Sequence, residues 1–319
     1  MTSKRRFAFI ANSNKVDISS LKTIEKYFLD TLDDAVFYIT NNENELDSIA
    51  SLGADVYVAL GGDGTLNSLL NALRTPSSPF KRDSLPIVGV LPFGNGDDFA
   101  QSVGFSPKHF SSKKISKQQN LQKIFEPFIQ TQYNDTFVAP VYYGDFWINN
   151  DPVPKQFFSY VGLGLFAQAV KQANKKSNKS YFKELKKVYN HAQLESFVLR
   201  QDSKQTQRNL ITFECMNNLQ FGGGLEYNPQ GSYFSSSFQT IGLEKLSLLQ
   251  IIKNYHHIKM KKGLHLEHEK VTYNSDVKDM LIDVARPLPL HYDGETISDV
   301  CHVHIRSGGY PIRVITKNI

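Results

Sequence analysis

The chain has 319 residues, of which 40% are hydrophobic and 12% aromatic, so it can hold two folded domains and is too apolar to be disordered. Its two cysteines exclude a disulfide scaffold and a zinc finger, and its net charge of +5 is mild. No apolar stretch approaches the roughly 18 residues of a membrane-spanning helix. The apolar run after Lys4-Arg5-Arg6 is too short for a secretory signal. These features favour a cytoplasmic protein.

The first 132 residues alternate predicted strands with predicted helices. Strands are expected at 7–11, 36–39, 56–60 and 87–91, and helices at 19–32, 46–52 and 121–128. Alternation of this kind is typical of βαβ units, whose strands are parallel. The sequence therefore predicts an α/β domain over residues 1–132 with a doubly wound parallel sheet.

The residue composition changes after residue 132, where strand-forming residue types dominate. Strands are expected at 137–148, 157–165, 210–213, 271–275, 280–284, 288–292 and 300–305, with helices at 165–173 and 181–199. The sequence therefore predicts a second, β-rich domain over residues 133–319.

The first glycine-rich turn follows the strand at 56–60 and reads Gly61-Gly62-Asp63-Gly64-Thr65. Its spacing fits neither a P-loop nor the Gly-x-Gly-x-x-Gly dinucleotide fingerprint. A strand, a glycine turn and a helix can nevertheless bring backbone N–H groups and the helix dipole to an anion. Asp63 adds a carboxylate that could hold a metal ion or accept a proton. The alternative is a βα turn that uses glycine only for backbone freedom.

A second turn follows the strand at 87–91 and reads Gly94-Asn95-Gly96, with Asp97 and Asp98 after it. The carboxyl ends of parallel strands meet at one edge of the sheet, where ligands of open α/β proteins bind. The two turns are therefore expected to face each other. Asp98 is also expected as the N-cap of the helix that follows.

Both turns resemble the diacylglycerol kinase catalytic family, whose superfamily also holds sphingosine, ceramide and, more distantly, NAD kinases. The likeness continues at 158–164 (FSYVGLG), similar to the Asn-x-x-Ser-Ile-Gly segment of the family, and at 221–224 (FGGG), similar to its Gly-Gly-Gly turn. Residues 287–295 (PLPLHYDGE) resemble the Leu-Pro-x-Gln-x-Asp-Gly-Glu stretch of eukaryotic diacylglycerol kinases. The resemblance spans nearly the whole chain in the same order.

The resemblance implies an ATP- and Mg²⁺-dependent lipid kinase, with diacylglycerol favoured as the acceptor. It implies a sandwich-like second domain, a cleft between the domains, and the return of residues 312–315 to the first domain. Asp63 or Glu295 is expected as the base, with Asp293 beside Glu295, and Asp63 and Asp98 are expected at the metal. The expected nucleotide contacts are Asn12, Thr40, Gly61, Gly62, Gly64, Thr65, Asn67, Gly94, Asn95 and Gly96. The structural alternatives are a turn or cap role for Asn12 and Thr40 and an Asp-Gly hairpin turn at 293–294.

The chain departs from the family pattern at several positions. The proline and glycine after the first strand are missing at 13–16, Ser68 replaces a glutamate, and Asn95 and Asp97 replace a threonine and an asparagine. Phe166 replaces an aspartate. These changes motivate a second hypothesis, a catalytically silent module that binds nucleotide or lipid. A sphingosine or ceramide kinase is the alternative to a diacylglycerol kinase, because the sequence does not show the pocket wall that selects the lipid. NAD kinase ranks behind them.

Two lysine clusters are expected to attract anionic lipid at a membrane surface. One comprises Lys171, Lys175, Lys176, Lys179, Lys183, Lys186 and Lys187, and the other comprises Lys253, Lys259, Lys261, Lys262 and Lys270. The alternative for each is a solvated helix face. No nucleic-acid-binding motif accompanies the charge, so nucleic acid is not an expected partner. We therefore expect peripheral association with a membrane, and the sequence leaves the oligomeric state open.

Overall fold

The computed structural model describes residues 4–13, 16–40, 45, 48–49, 51–74, 80, 84–94, 97–106, 110, 121–176, 181–221, 225–260 and 263–317. The chain divides into two compact units. The first comprises Met1–Val141 and Tyr310–Ile319, and the second comprises Tyr142–Gly309. The sequence places the division at residue 132, and the structure places it later because residues 138–141 form a strand in the sheet of the first unit.

The described part of the first unit contains one mixed sheet. Its strands are β1 (Phe7–Asn12), β2 (Ala35–Thr40), β3 (Val56–Gly61), β4 (Ile87–Pro92), β5 (Val138–Val141) and β16 (Ile312–Ile315). Their order is β2-β1-β3-β4-β16-β5, and every neighbouring pair is parallel except β16 with β5. All residues of β3 and β4 are buried, as expected for parallel strands that are covered on both faces.

The helices described in the first unit are α1 (Ile18–Thr31), α2 (Asp63–Leu73), α3 (Asp98–Ser102) and α4 (Leu121–Thr131). Helix α1 begins after Asp17, whose side chain accepts a hydrogen bond from the Ser20 amide at 2.9 Å. Its buried face places Phe28 against Phe9 of β1, with ring centroids 4.4 Å apart. The helix expected at 46–52 lies partly outside the described residues. Sequence and structure agree on the other elements here to within a few residues.

The described part of the second unit contains one antiparallel sheet. Its strands are β6 (Gly144–Ile148), β7 (Lys155–Phe157), β8 (Tyr160–Gly164), β9 (Glu195–Gln201), β10 (Lys204–Leu210), β11 (Thr212–Met216), β12 (Phe238–Leu243), β13 (Val271–Val277), β14 (Asp279–Tyr292) and β15 (Glu295–Ser307). The main order is β13-β12-β11-β8-β14-β15-β6-β7, and β9 pairs with both β10 and β14. Long strands β14 and β15 form a hairpin at its centre. The predicted combination of an α/β domain with a β-rich domain is confirmed.

The helical segments described in the second unit are α5 (Leu165–Asn174), α6 (Tyr181–Asn190), α7 (Leu248–Lys259) and a 3₁₀ turn (Leu264–Glu267). Helix α7 starts with a capping box, in which the side chains of Ser247 and Gln250 accept hydrogen bonds from each other's backbone amides. No helix in the described part of the chain has the length and apolar composition that crossing a membrane requires.

The helix predicted over 181–199 is wrong in its second half. Helix α6 ends at Asn190, and Glu195–Gln201 forms β9 in a hairpin with β10. The period in β9 is two, since Phe197 and Leu199 are buried while Val198 between them is partly exposed. Strand β10 reads KQTQRNL and is exposed up to its last residue, so it gave no hydrophobic signal.

Candidate active site

The two glycine turns of the first unit touch each other, backbone against backbone. Strands β3 and β4 end in register at Gly61 and Pro92, so both turns leave the same edge of the sheet. A Cβ atom added to Gly94 would lie 2.5 Å from the Gly62 Cα, and one added to Gly62 would lie 2.9 Å from the Gly94 Cα. Only glycine permits this approach. The structure thus brings together the two turns that the sequence places at one edge.

We expect Gly94→Ala and Gly64→Ala to have different effects. The first inserts a methyl group between the two turns and should destabilise the protein by about 1–3 kcal/mol. Gly64 is exposed and has no heavy atom within 4 Å of an added Cβ, so its alanine variant should keep its thermal stability. If the first turn holds the phosphates of ATP, as the resemblance implies, the methyl group would instead crowd a phosphate and weaken ATP binding. Thermal unfolding and ATP titration of both variants test this expectation, and equal melting temperatures would contradict it.

Asp63 joins the first turn to the second. It is the first residue of α2, and its two carboxylate oxygens accept hydrogen bonds from the backbone amides of Asp98 and Phe99, each at 3.1 Å. These amides open helix α3, so Asp63 serves as its cap from a position thirty-five residues earlier in the chain. The sequence indicates Asp98 as a cap, but the structure gives the capping hydrogen bonds to Asp63.

Three carboxylates gather around this junction. Asp97 adopts the left-handed conformation with φ of 53°, and its carboxylate accepts a hydrogen bond from the Gly94 amide at 2.9 Å. Asp97 and Asp98 are both buried. Burial, and then the charge of Asp98, raise the pKa of Asp63 to about 7, although its two backbone donors act in the opposite direction. A carboxylate with this pKa can exchange a proton near neutral pH.

These carboxylates are the residue type that the resemblance implies at a magnesium ion. Within the described residues no group of three or more His, Cys, Asp or Glu side chains is arranged to hold a metal ion alone. Magnesium bound with nucleotides commonly takes only one or two protein carboxylates, together with phosphate oxygens and water. Asp63 and Asp98 lie close enough for the charge of one to raise the pKa of the other, which a divalent cation would relieve.

The other predicted nucleotide contacts have different surroundings. Asn12 and Thr40 end the paired strands β1 and β2 in register, beside each other at the same edge of the sheet. The Thr65 side chain packs over Gly61, where an added Cβ would lie 2.3 Å from its hydroxyl oxygen. Asn67 is buried on α2 and accepts a hydrogen bond from Asn71 at 3.4 Å. Asn95 and Gly96, and likewise Gly222, Gly223 and Gly224 of the later turn, lie outside the described residues.

In the second unit, Asp293 and Gly294 form the turn between β14 and β15. Their φ angles of 44° and 92° are those of a tight Asp-Gly hairpin turn. The Asp293 carboxylate accepts three backbone hydrogen bonds, from Phe158 at 2.7 Å, Ser159 at 2.8 Å and Tyr160 at 3.1 Å. Burial raises its pKa to about 6 against the effect of these donors. These bonds fit the hairpin alternative, in which Asp293 is structural. Glu295, the first residue of β15, is exposed.

A buried acid–histidine pair beside this hairpin was not predicted from the sequence. His291 Nε2 lies 2.8 Å from Glu214 Oε2, and neither side chain is exposed to solvent. Both residues pair in register with Gly162 of β8, which lies between their strands. A Cβ on Gly162 would lie 2.0 Å from the Glu214 carboxylate, so this glycine makes room for the pair. The one sequence signal was His291, where the quoted family pattern has glutamine.

Aromatic rings cover the pair. The rings of Tyr160 and Phe221 lie 5.2 Å and 5.9 Å from the His291 ring. Phe166, the residue that replaces an aspartate of the family, is buried with its ring 5.0 Å from that of Phe221. The replacement therefore exchanges a charge for a ring that packs into an aromatic cluster.

A surface cavity of about 260 Å³ also lies in the second unit. Its lining includes Gly164 and Gln168 near the start of α5, and Arg286, whose guanidinium pairs with Glu195. It contains none of the residues predicted for the active site, so we assign it no part in catalysis.

Comparison with known proteins supports the resemblance. Residues 7–125 match the diacylglycerol kinase catalytic domain. The resemblance is therefore confirmed for the segment that holds both glycine turns. A protein of Staphylococcus aureus (strain Newman) named "Putative lipid kinase" is 36% identical over 87 residues, which are 27% of this chain and 26% of that protein. The match thus spans about a quarter of the length of this curated relative.

Solved structures extend the likeness from the diacylglycerol kinase catalytic domain to the fold of the whole chain. The crystal structure of a "putative diacylglycerol kinase" from Bacillus anthracis str. Sterne aligns with all of this chain and 97% of that one, with a TM-score of 0.75 and 17% identity. An NAD kinase from Archaeoglobus fulgidus, solved with ATP, aligns over 98% of this chain and 94% of that one, with a TM-score of 0.50 and 14% identity. These matches are prokaryotic, so the expected eukaryotic type has no support.

Proposed function

We propose that this protein is an ATP-dependent lipid kinase that transfers the γ-phosphate to the hydroxyl group of diacylglycerol. The observation that carries the proposal is the pair of glycine turns that meet backbone to backbone and are joined by Asp63. A kinase must hold a polyphosphate, neutralise its charge and place a hydroxyl in line with the terminal phosphorus. The first two tasks suit this edge of the sheet.

The first turn and the start of α2 would hold the phosphates. Gly62 is the N-cap of α2, and glycine has no side chain to cap the helix. No side chain from the cap position therefore covers the positive end of the helix dipole. Exposed Gly64 leaves room for an oxygen atom to approach the backbone. Magnesium, held through Asp63 and Asp98, would neutralise charge on the phosphates when bound.

Proton removal from the acceptor needs a carboxylate within hydrogen-bond reach of the hydroxyl group. Asp63 has a pKa near neutrality, which suits a group that must accept a proton at that pH. Glu295 is the second candidate, because it is exposed and therefore available to a ligand. We assign to Asp63 the contact with magnesium and with the acceptor hydroxyl. We assign to Glu295 the role of base or of a partner in the network around the metal.

One observation favours a second candidate function, a silent module that binds nucleotide without transferring phosphate. The Gly94 amide, in the turn that should face the phosphates, already donates to the Asp97 carboxylate. A phosphate that needed this amide would have to displace a buried carboxylate and would meet its negative charge. Binding of ATP without turnover would support this alternative.

Phosphate transfer from radiolabelled ATP tests the proposal. Vesicles that contain diacylglycerol, sphingosine or ceramide, and NAD in solution, are offered separately, with and without magnesium. We expect label in diacylglycerol, dependent on magnesium. Label in sphingosine or ceramide would change the acceptor, and label in NAD would overturn the assignment to lipids. ATP binding with no labelled product would favour the silent module.

Substitutions at 293 and 295 should separate structure from catalysis. Asp293→Ala leaves three backbone N–H donors without their acceptor and should cost about 2 kcal/mol or more of stability. Exposed Glu295→Gln should change stability by less than about 0.5 kcal/mol. It should lower the rate of phosphate transfer by about 100-fold or more if Glu295 is the base. Urea denaturation and the transfer assay measure both effects, and full turnover by the Gln variant would leave Asp63 as the remaining candidate.

A further inference from the structure

Helix α7 of the second unit presents an apolar face to solvent. Leu249 is 80% exposed, Ile252 59% and Tyr255 44%, and Met260, directly after the helix, is 49% exposed. On a surface helix of a globular domain such residues normally face the core. On the inward side, Asn254 is buried between two partly buried isoleucines. The well-capped helix therefore carries a second set of hydrophobic side chains on its outer side.

The residues around this face carry positive charge. The charged residues are Lys253 and Lys259, which are exposed on the same side of α7. From residue 245 to residue 266 the sequence contains five lysines, three histidines and no aspartate or glutamate. Lys259 also lies over the Tyr255 ring, 5.2 Å from its centroid. The exposed face therefore combines apolar and cationic side chains without an acidic one.

The lysines of the first cluster, which lie on α5 and α6 and between them, differ from those on α7. Lys176 and Lys187 both form ion pairs with Glu184, a buried residue of α6, and Lys171 donates to the Ser298 hydroxyl at 2.7 Å. Part of the charge in that cluster is therefore neutralised within the unit. Of the two clusters that the sequence singled out, the one on α7 has the composition of a membrane-binding helix.

We propose that α7 binds the surface of an anionic lipid bilayer, with Leu249, Ile252 and Met260 inserted among the acyl chains. Lysine head groups at 253 and 259 would then lie at the level of the phosphates, where basic residues gain free energy. The proposal deepens the proposed function, because a lipid kinase must reach an acceptor that stays in the bilayer. A second copy of this chain is a poorer occupant, since two such faces would bring their lysines together.

Sedimentation with vesicles tests the proposal. Wild-type protein should bind vesicles of phosphatidylcholine with phosphatidylglycerol and bind pure phosphatidylcholine at least tenfold more weakly. Leu249→Ser with Ile252→Ser should reduce binding to the anionic vesicles at least tenfold, as should Lys253→Gln with Lys259→Gln. The matched control is Val153→Ser with Leu194→Ser, since these residues of the same unit are 67% and 49% exposed and lie outside α7.

Two further measurements keep this inference separate from the proposed function. Turnover of diacylglycerol dispersed in detergent should be the same for the α7 variants and wild type, because the reacting groups are untouched. Vesicle binding is measured without ATP, so it gives an answer even if no lipid is phosphorylated. Unchanged binding by the Leu249 and Ile252 variant would overturn the proposal. A wild-type dimer that this variant dissociates, seen by sedimentation equilibrium, would overturn it in favour of a second copy.

Discussion

Asp63→Asn is expected to abolish phosphate transfer while the first unit stays folded. The substitution keeps the size of the side chain but removes the charge that would hold magnesium and the oxygen that would accept a proton. General-base removal alone typically costs two to four orders of magnitude in rate. The asparagine can still accept one of the two backbone hydrogen bonds that cap α3. Transfer of label from ATP and thermal unfolding give the two readouts.

The pH dependence of stability is a second test of Asp63, because it depends on the protonation of this side chain. Because the pKa of Asp63 is raised from 3.8 to about 7, the folded protein holds a proton there that the unfolded chain has lost. Without magnesium, this group should therefore reduce stability as pH rises from about 4 to about 7. One pKa unit corresponds to about 1.4 kcal/mol. Since Asp63 is partly exposed, we expect a loss on the order of 2 kcal/mol between pH 5 and pH 8.

The control for both measurements is Asp135→Asn, which changes a surface carboxylate of the same unit that pairs with Arg5 and Arg313. It should leave turnover unchanged and keep the wild-type pH profile. The Asp63→Asn variant should lose part of the decline in stability between pH 5 and pH 8. Wild-type rates in that variant would rule out the catalytic assignment of Asp63, and an unaltered pH profile would show that its carboxylate is not the titrating group.

Glu214→Ala should be the most destabilising single substitution considered for the second unit. It leaves His291 buried without its acidic partner, and breaking a buried pair by removing one member costs about 3–5 kcal/mol. The matched control is Asp279→Ala, which breaks an acid–histidine pair of similar length, 3.0 Å to His304, but with the Asp279 side chain 45% exposed. That change should cost less than about 1 kcal/mol. Urea denaturation of both variants measures the difference.

Gly162→Ala tests the same pair from the other side. Its methyl group cannot fit 2.0 Å from the Glu214 carboxylate, so the pair must separate or the strands must shift. In the Glu214→Ala background this clash is absent, and the alanine at 162 should cost much less than it does in wild type. Additive effects of the two substitutions would show that the glycine serves another purpose.

The sequence predicts well the edge of the first unit that holds the candidate site, for a physical reason. Parallel buried strands are continuous apolar runs, and the turns that follow are marked by glycine, so β3, β4 and both turns can be located from local signals. That these turns touch follows from the register of the sheet. The capping of α3 by Asp63 could not be predicted, because it depends on how far apart two backbones lie.

In the second unit, local sequence patterns do not predict the contacts between strands. Glu214, Gly162 and His291 stand on three different strands, and only the lateral order of those strands brings the residues into one row. Strand β10 is polar and exposed, so it has no hydrophobic signal that would indicate a hairpin, and the helix predicted over 181–199 extends into its partner β9. The period of two in a strand shows which side chains share a face, but it does not show which distant strand is the partner.

Strand β16 determines when the first unit can be finished during synthesis. It lies between β4 and β5, so the sheet that carries both glycine turns has a gap until residues 312–315 arrive. Residues 142–309 form an uninterrupted segment that emerges from the ribosome earlier and can fold as a unit. The first unit, although its first strand is made early, is therefore completed last. A nascent chain that stops before β16 would contain a folded second unit and a first-unit sheet that still lacks the strand between β4 and β5.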